Sequence, residues 1–275
     1  MGQICGRSVK KHSPQAFLVA YDCAVTYLRP MSPHARETRP FASEVKFVVD
    51  AAVGTRIREW IRANLEPDPH GGGPFNDEYR TASLYFDTAL GDVFHRRGSF
   101  GRSKYRVRRY GTVSFVFLER KLRRPGILVK RRTTVELETL DRLSHARSYP
   151  DWPGDWFHRR LLLRQVKPVC QVSYSRTARF ARTSEGPVRL TLDEDVRVVP
   201  ASTPRFSGVG GQPVVPGQMI LELKYRQHVP AIFKRLVEEF ALEPERASKY
   251  RLGMTALAAA GFALPALTAD SGAHV

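Results

Sequence analysis

The chain has 275 residues, and its 44 lysines and arginines against 27 aspartates and glutamates give a formal net charge of +17. With 42% hydrophobic and 26% charged residues it can build a core, which excludes wholly disordered, collagen-like and coiled-coil proteins. The longest apolar stretch, 255–267, is too short for a membrane span of about 20 residues. We therefore expect a soluble protein. The three cysteines are widely spaced and form no CxxC pair, so we expect no disulfide framework and a location in the reducing cytoplasm.

Three regions differ in their sequence pattern. Residues 1–40 are rich in proline and have no regular hydrophobic period, which predicts a disordered N-terminal extension. Residues 41–262 contain no internal repeat and no break in composition, so we expect a single domain. Residues 263–275 are predicted to be a flexible C-terminal tail.

Alternation of polar and apolar residues predicts strands along most of the domain. The first strand covers 43–49, with Glu44 and Lys46 on one face, and an amphipathic helix at 51–65 follows it. Further strands are predicted at 80–87, 104–108, 114–121, 127–136, 188–199 and 219–226. Helices are predicted at 155–166, 230–240 and 245–262.

The positive charge is concentrated between Arg102 and Arg132, where twelve basic residues accompany a single acidic residue, Glu119. In the strand 104–108 the basic residues alternate with Tyr105 and Val107, so the cations share one face. The two following strands repeat this pattern, which indicates an antiparallel meander with one cationic and one apolar face.

Two architectures would suit such a sheet. An open sheet that reads nucleic acid would carry aromatic residues among its cations, and here only Phe115 and Phe117 do so. We therefore expect an α+β fold with a closed eight-stranded antiparallel β-barrel, a tunnel with a charged lumen, and helices packed outside. Enclosed cations need an anionic partner, and a chain of phosphates suits arginine and lysine.

Carboxylates alternate with these cations at Glu44, Glu119 and Glu222. They either pair with neighbouring basic residues or hold a divalent metal that binds phosphate oxygens, and the pattern alone leaves both interpretations open. The eight histidines are isolated from one another, which argues against zinc. No phosphate-binding GxxxxGK[ST] loop is present.

Nine short segments resemble, in order, the VTC-type polyphosphate polymerase domains of the triphosphate tunnel metalloenzyme superfamily. They are ASEVKF (42–47), SLYFD (83–87), KYRVRRYG (104–111), FLERK (117–121), VKRR (129–132), YSRTA (174–178), VRLTLD (188–193), LELKY (221–225) and SKYRLG (248–253). The fuller ExExK signature of the superfamily is incomplete, because Ala42 stands at its first acidic position.

The resemblance implies a metal-dependent phosphotransferase that passes the γ-phosphoryl group of ATP to a growing polyphosphate chain. Manganese or magnesium would be the cofactor, and ATP and inorganic polyphosphate the partners, with no nucleic acid and no membrane segment. The catalytic residues implied are Arg106, Arg108, Lys121 and Arg176; the phosphate-binding residues are Lys46, Lys130, Tyr174, Arg189 and Lys249; the metal ligand is Glu222. A triphosphatase of the same fold and a non-enzymatic polyanion-binding module are the alternatives.

Overall fold

The computed structural model describes residues 43–124, 127–208 and 210–263. The predicted N-terminal extension, 1–40, lies outside the described residues, and so does the predicted C-terminal tail apart from residue 263. Within the described ranges, no helix is long and apolar enough to cross a membrane.

Strands dominate the described part of the chain. They are β1 (Ser43–Asp50), β2 (Glu66–Pro67), β3 (Glu78–Asp87), β4 (Ser103–Tyr110), β5 (Phe115–Arg124), β6 (Ile127–Glu136), β7 (Lys167–Thr183), β8 (Gly186–Pro200), β9 (Gln212–Pro213) and β10 (Gln218–Tyr225). The helices are α1 (Ala51–Asn64), α2 (Asp92–His95), α3 (Asp155–Arg164), α4 (Ala231–Glu239) and α5 (Lys249–Ala259), with 3-10 helices at Gly98–Arg102 and Leu137–Ser144. The predicted strands and helices are found with shifted ends, whereas alternation did not predict β7.

All the strands belong to one antiparallel sheet. Eight of them follow the order β1-β10-β8-β7-β3-β4-β5-β6, and the short strands β2 and β9 pair with β7 and β8. With its helices the domain is α+β, as expected.

The prediction of a closed eight-stranded barrel is wrong, because among the described residues no backbone ladder joins the edge strands β1 and β6. The chain segment before α5 lies at the free edge of β1 instead, where the N–H of Glu245 donates to the carbonyl of Lys46 at 2.7 Å. That carbonyl is therefore not available to another strand. Lys121 on β5 nevertheless reaches Glu44 on β1 at 3.7 Å, so the sheet is strongly curved without being closed.

The convex side of the sheet carries the apolar residues predicted for the meander. Tyr105, Val107 and Leu118 are buried there and pack against Phe157 and Leu161 of α3. A second core on this side joins Ile57 and Ile61 of α1 and Phe233 and Leu236 of α4 to Phe47, Leu190 and Leu221. The charged residues of the same strands are thereby directed to the concave side.

The helix α5 lies on the concave side of the sheet. Its Tyr250 packs in a core with Val172 and Ile220, and Ile220 shares its strand face with Glu222. Gly253 permits this close packing, because a Cβ atom there would lie 3.2 Å from Cγ2 of Val172.

This helix covers one end of the concave side. The ring of Tyr250 lies 5.2 Å, centroid to centroid, from that of Tyr85 near the end of β3. Lys104, near the start of β4, donates through Nζ to Oγ of Ser248, just before α5, at 2.9 Å. The end of the sheet at which β3 ends and β4 begins is therefore covered by α5.

Asp87 fixes α5 to the sheet. Its side chain is 1% exposed and accepts hydrogen bonds from the N–H groups of Thr88, Val93 and Phe94 at 2.7, 2.8 and 2.9 Å. It also accepts one from the hydroxyl of Tyr250. One carboxylate thus holds the short helix α2 and the first turn of α5.

We predict that Asp87→Ala lowers the free energy of unfolding by about 3 kcal/mol or more, because several buried donors lose their acceptor. Tyr250→Phe keeps the ring and removes a single donor, so it is expected to cost only about 1 kcal/mol. Urea denaturation measures both values. Equal, small losses in the two variants would contradict this role of Asp87.

Candidate functional site

The concave side of the sheet carries a set of charged residues that we call the basic face. It comprises eleven basic side chains, Lys46, Lys104, Arg106, Arg108, Lys121, Lys130, Arg132, Arg176, Arg189, Lys224 and Lys249, and five carboxylates, Glu44, Asp68, Glu119, Asp193 and Glu222. All ten predicted site residues lie on the basic face. Nine are among the charged side chains just named, and the tenth is the buried Tyr174. Their roles remain predictions. The described residues of the face carry an excess of positive charge.

Glu119 is the centre of one ion-pair cluster in the basic face. It is 2% exposed and accepts hydrogen bonds from Nε of Arg106 and, at 2.7 Å, from Nε of Arg132, while Nζ of Lys130 lies 3.3 Å away. Burial alone would raise the pKa of this carboxyl, but the cations Arg106, Arg132 and Lys130 hold it well below its ordinary value. Glu119 therefore remains ionised and pairs with the cations, as one of the two interpretations predicted.

Asp193 is the centre of a second cluster, which the sequence did not identify. It is fully buried and accepts two hydrogen bonds from Arg176, at 2.6 and 2.8 Å, and it contacts Nζ of Lys249. Burial opposes ionisation, but Arg176 and Lys249 outweigh it and lower the pKa of Asp193 to about 2. Alternation within the strand predicted that Asp193 shares a face with Arg189. It could not predict the hydrogen bonds to Arg176, because they join two different strands, β7 and β8.

Glu222 and Glu44 form the third cluster. Nζ of Lys46 lies 3.0 Å from Glu44 and 3.7 Å from Glu222, and Nζ of Lys224 lies 2.7 Å from Glu222. Burial lowers the pKa of Lys224 to about 8, helped by nearby arginines and opposed by Glu222. Lys224 was not among the predicted site residues, although LELKY contains it.

These two carboxylates are candidate ligands of a divalent ion. Within the described ranges, no group of three or more His, Cys, Asp or Glu side chains could hold a metal. Magnesium-type ions are commonly held by one or two carboxylates, with phosphate oxygens and water as the other ligands. Glu222 and Glu44 would suit an ion of that kind if Lys46 and Lys224, which now pair with them, moved away.

Three buried hydroxyl groups on the basic face lack hydrogen-bond partners among the described residues. They are Oη of Tyr174 and Oγ1 of Thr81 and Thr191. Each hydroxyl is a donor, and a buried donor without an acceptor costs about 1–3 kcal/mol. Water or a phosphate oxygen would satisfy them. Tyr174 was predicted to assist phosphate binding in this way, and the two threonines were not predicted.

The two ends of the meander carry different side chains. Lys104, Lys121 and Lys130 lie side by side near the end covered by α5, where Lys104 is opposite Lys121 and Lys121 opposite Lys130. Near the other end, Arg189 donates to Asp68 at 2.8 Å and to the hydroxyl of Tyr79 at 2.9 Å.

Lys104 is strongly affected by its surroundings. Burial, and after it the nearby cations Lys46, Lys121 and Arg106, together lower the pKa of Lys104 to about 7. An ammonium group with this pKa is largely neutral above pH 8, and a nearby anion would favour its charged form.

Binding of inorganic triphosphate should therefore weaken as the pH rises. We expect its Kd to increase above pH 7, by at most about tenfold per pH unit for each proton taken up on binding. Lys104→Arg keeps the charge at every pH tested and should flatten this rise, whereas the exposed control Lys234→Arg should not. Calorimetric titrations at pH 6, 7, 8 and 9 measure the effect, and identical profiles in all three proteins would contradict it.

The buried pair of Asp193 and Arg176 should make the fold sensitive to acid. The folded pKa of Asp193 is depressed, so its contribution is present above its unfolded pKa and is lost as the pH falls from about 5 to about 2. We expect Asp193→Asn to cost about 3 kcal/mol or more at pH 7, with the gap to the parent protein closing below pH 4.

The matched control is Asp141→Asn, which alters an exposed ion pair with Arg205 at 2.8 Å. Exposed pairs contribute about 0–1 kcal/mol, so little change is expected at any pH. Urea denaturation at several pH values measures the difference. A constant gap between Asp193→Asn and the parent protein from pH 7 to pH 3 would refute the assignment.

Several solved structures resemble this chain at low sequence identity. A candidate adenylate cyclase from Bacillus halodurans is 16% identical, with 74% of this chain and 92% of that chain covered and a TM-score of 0.48. A candidate adenylyl cyclase from Hippeastrum, described as having a dominant triphosphatase activity, is 15% identical, with coverages of 77% and 94% and a TM-score of 0.45. A protein from Pyrococcus horikoshii is 15% identical, with coverages of 78% and 99% and a TM-score of 0.43. Similarities this distant assign no function.

No curated protein matches the chain in sequence. The family model of the VTC domain, however, matches residues 41–258, which is most of the chain. This range contains the basic face and all nine short motifs in full, and it confirms the resemblance that those motifs indicated. The chain belongs to the VTC domain family.

Proposed function

We propose that this protein transfers the γ-phosphoryl group of ATP to inorganic polyphosphate on the basic face. The observation that carries the proposal is the excess of cations over carboxylates among the described residues of the concave basic face, together with membership in the VTC domain family. Enclosed cations without sufficient counter-charge are costly, and a phosphate chain supplies the missing negative charge. The cytoplasm, where ATP is abundant, is the proposed compartment.

The proposed ligands of the β- and γ-phosphates are Arg106, Arg108, Lys121 and Arg176. Arg176 uses two of its N–H groups on Asp193, and an arginine has five, so donors remain for phosphate oxygens. Arg108 is 7% exposed and donates to Oγ of Ser83 at 3.1 Å, which holds its guanidinium in place. Phosphoryl transfer needs positioning and charge neutralisation more than covalent chemistry, and a rigid cationic surface provides both.

The remaining predicted residues would hold the rest of the phosphate chain. Lys46, Lys130, Arg189 and Lys249 are all paired with carboxylates on the basic face, and each would exchange part of that pairing for a phosphate oxygen. Glu222 would hold a manganese or magnesium ion together with phosphate oxygens. When bound, such an ion neutralises charge on the transferred group.

Hydrolysis of triphosphate is the second candidate function. The same phosphate ligands would serve it, and water would replace polyphosphate as the acceptor. One observation favours it: α5 covers one end of the basic face and so restricts the path of a long polymer. A protein that only binds polyanions, nucleic acid included, would show neither reaction.

Incubation with ATP and manganese distinguishes these functions. We expect ladders of polyphosphate on a stained gel, whereas free phosphate without polymer would indicate the hydrolase. Lys121→Ala and Glu222→Gln should each lower the rate by roughly 10²-fold or more, by analogy with the loss of one donor to a transition-state oxyanion. Chelation of the metal should abolish turnover.

The control variant is Arg80→Ala, which removes an exposed arginine that pairs with Asp195 at 3.5 Å, away from the basic face. It should keep the parent rate. Near-parental polymer synthesis in both Lys121→Ala and Glu222→Gln would show that the site assignment is wrong. Salt-sensitive binding of RNA or DNA with no turnover of ATP would support the binding module instead.

A further inference from the structure

Four aromatic side chains form a cluster at the end of the meander away from α5. We call Tyr79, Tyr110, Phe115 and Phe117 the aromatic cluster. Ring centroids lie 5.6 Å apart for Tyr79 and Tyr110, 5.5 Å for Tyr110 and Phe117, and 5.6 Å for Phe115 and Phe117. All three contacts are edge-to-face, and all four side chains are only half-buried.

The aromatic cluster continues the basic face. Tyr110 follows Arg106 and Arg108 on the same face of β4, and Phe115 and Phe117 precede Glu119 on the same face of β5. The guanidinium carbon of Arg132 lies 4.5 Å from the ring centroid of Phe117. Phosphate-binding cations and aromatic rings therefore adjoin each other on one concave surface.

The aromatic cluster lies well away from Tyr85, the residue of β3 on which Tyr250 of α5 packs. Tyr85, which packs against α5, and Tyr79 lie six residues apart on β3, which corresponds to about 20 Å of extended chain. Arg106 and Tyr110 are separated by four residues on β4, about 13 Å. A ligand whose triphosphate group lies near Arg106 can thus extend along β4 to the aromatic cluster.

We propose that the aromatic cluster binds the base of a nucleoside triphosphate whose phosphates lie on the basic face. An inorganic polyphosphate has no group that half-exposed aromatic rings would recognise, whereas a nucleobase stacks on them whatever its identity. The inference rests on the proposed function, since it names the substrate of the same site. It also explains why Phe115 and Phe117 interrupt an otherwise cationic strand face.

The test compares the binding of two ligands that share their phosphates. Calorimetric titration of the full chain with ATP and with inorganic triphosphate, without divalent metal, gives both Kd values in the absence of turnover. Phe115→Ala is expected to raise the Kd of ATP roughly tenfold and to leave that of inorganic triphosphate unchanged. Phe115→Tyr keeps an aromatic ring and should bind both ligands as the parent protein does.

Phe75→Ala serves as the control for the loss of a phenylalanine, because Phe75 is 53% exposed and packs on Arg62. It should change neither Kd. The inference is overturned if Phe115→Ala leaves the ratio of the two Kd values as in the parent protein, whether both ligands weaken together or neither does. Because these titrations require no turnover, they decide the question even if the protein synthesises no polyphosphate.

Discussion

The structure depends on the cost of gathering many cations on one concave, partly buried face. Each buried cation needs a counter-charge, and Glu119 and Asp193 meet part of this need by contacting two or more basic residues each. Among the described residues of the face the carboxylates are fewer than the cations, so these side chains carry an excess of positive charge. Binding of an anion therefore stabilises the fold as well as filling the site.

Much of this arrangement could be predicted from local sequence pattern. Alternation with a period of two placed Lys104, Arg106 and Arg108 on one face and Tyr105 and Val107 on the other, and the structure agrees. Such predictions succeed because the face of a strand residue depends only on its position along the strand. The helices were recognisable for the same reason, since their apolar period is also local.

The features that could not be predicted depend on contacts between distant segments. Strand β7 escaped detection because Ser, Thr and Arg occupy both of its faces and its pairing with β8 is irregular at Ser173 and Ser175. The bond of Asp193 to Arg176 joins two strands, and neither strand alone shows it. The prediction of a closed barrel was wrong for a similar reason. The N–H of Glu245 donates to the carbonyl of Lys46 at the edge of the sheet, and no local sequence pattern shows that contact.

The two ends of the basic face set a geometric condition for the reaction. If the nucleoside lies at the aromatic cluster, the γ-phosphate points towards the lysines near α5, and an acceptor must approach from that side. The hydrogen bond from Lys104 to Ser248 lies across this approach. A water molecule can pass such a contact, but a polyphosphate chain must displace it. If the proposed function holds, the ease with which Lys104 exchanges the Ser248 hydroxyl for a phosphate oxygen would bear on whether polyphosphate or water is the acceptor.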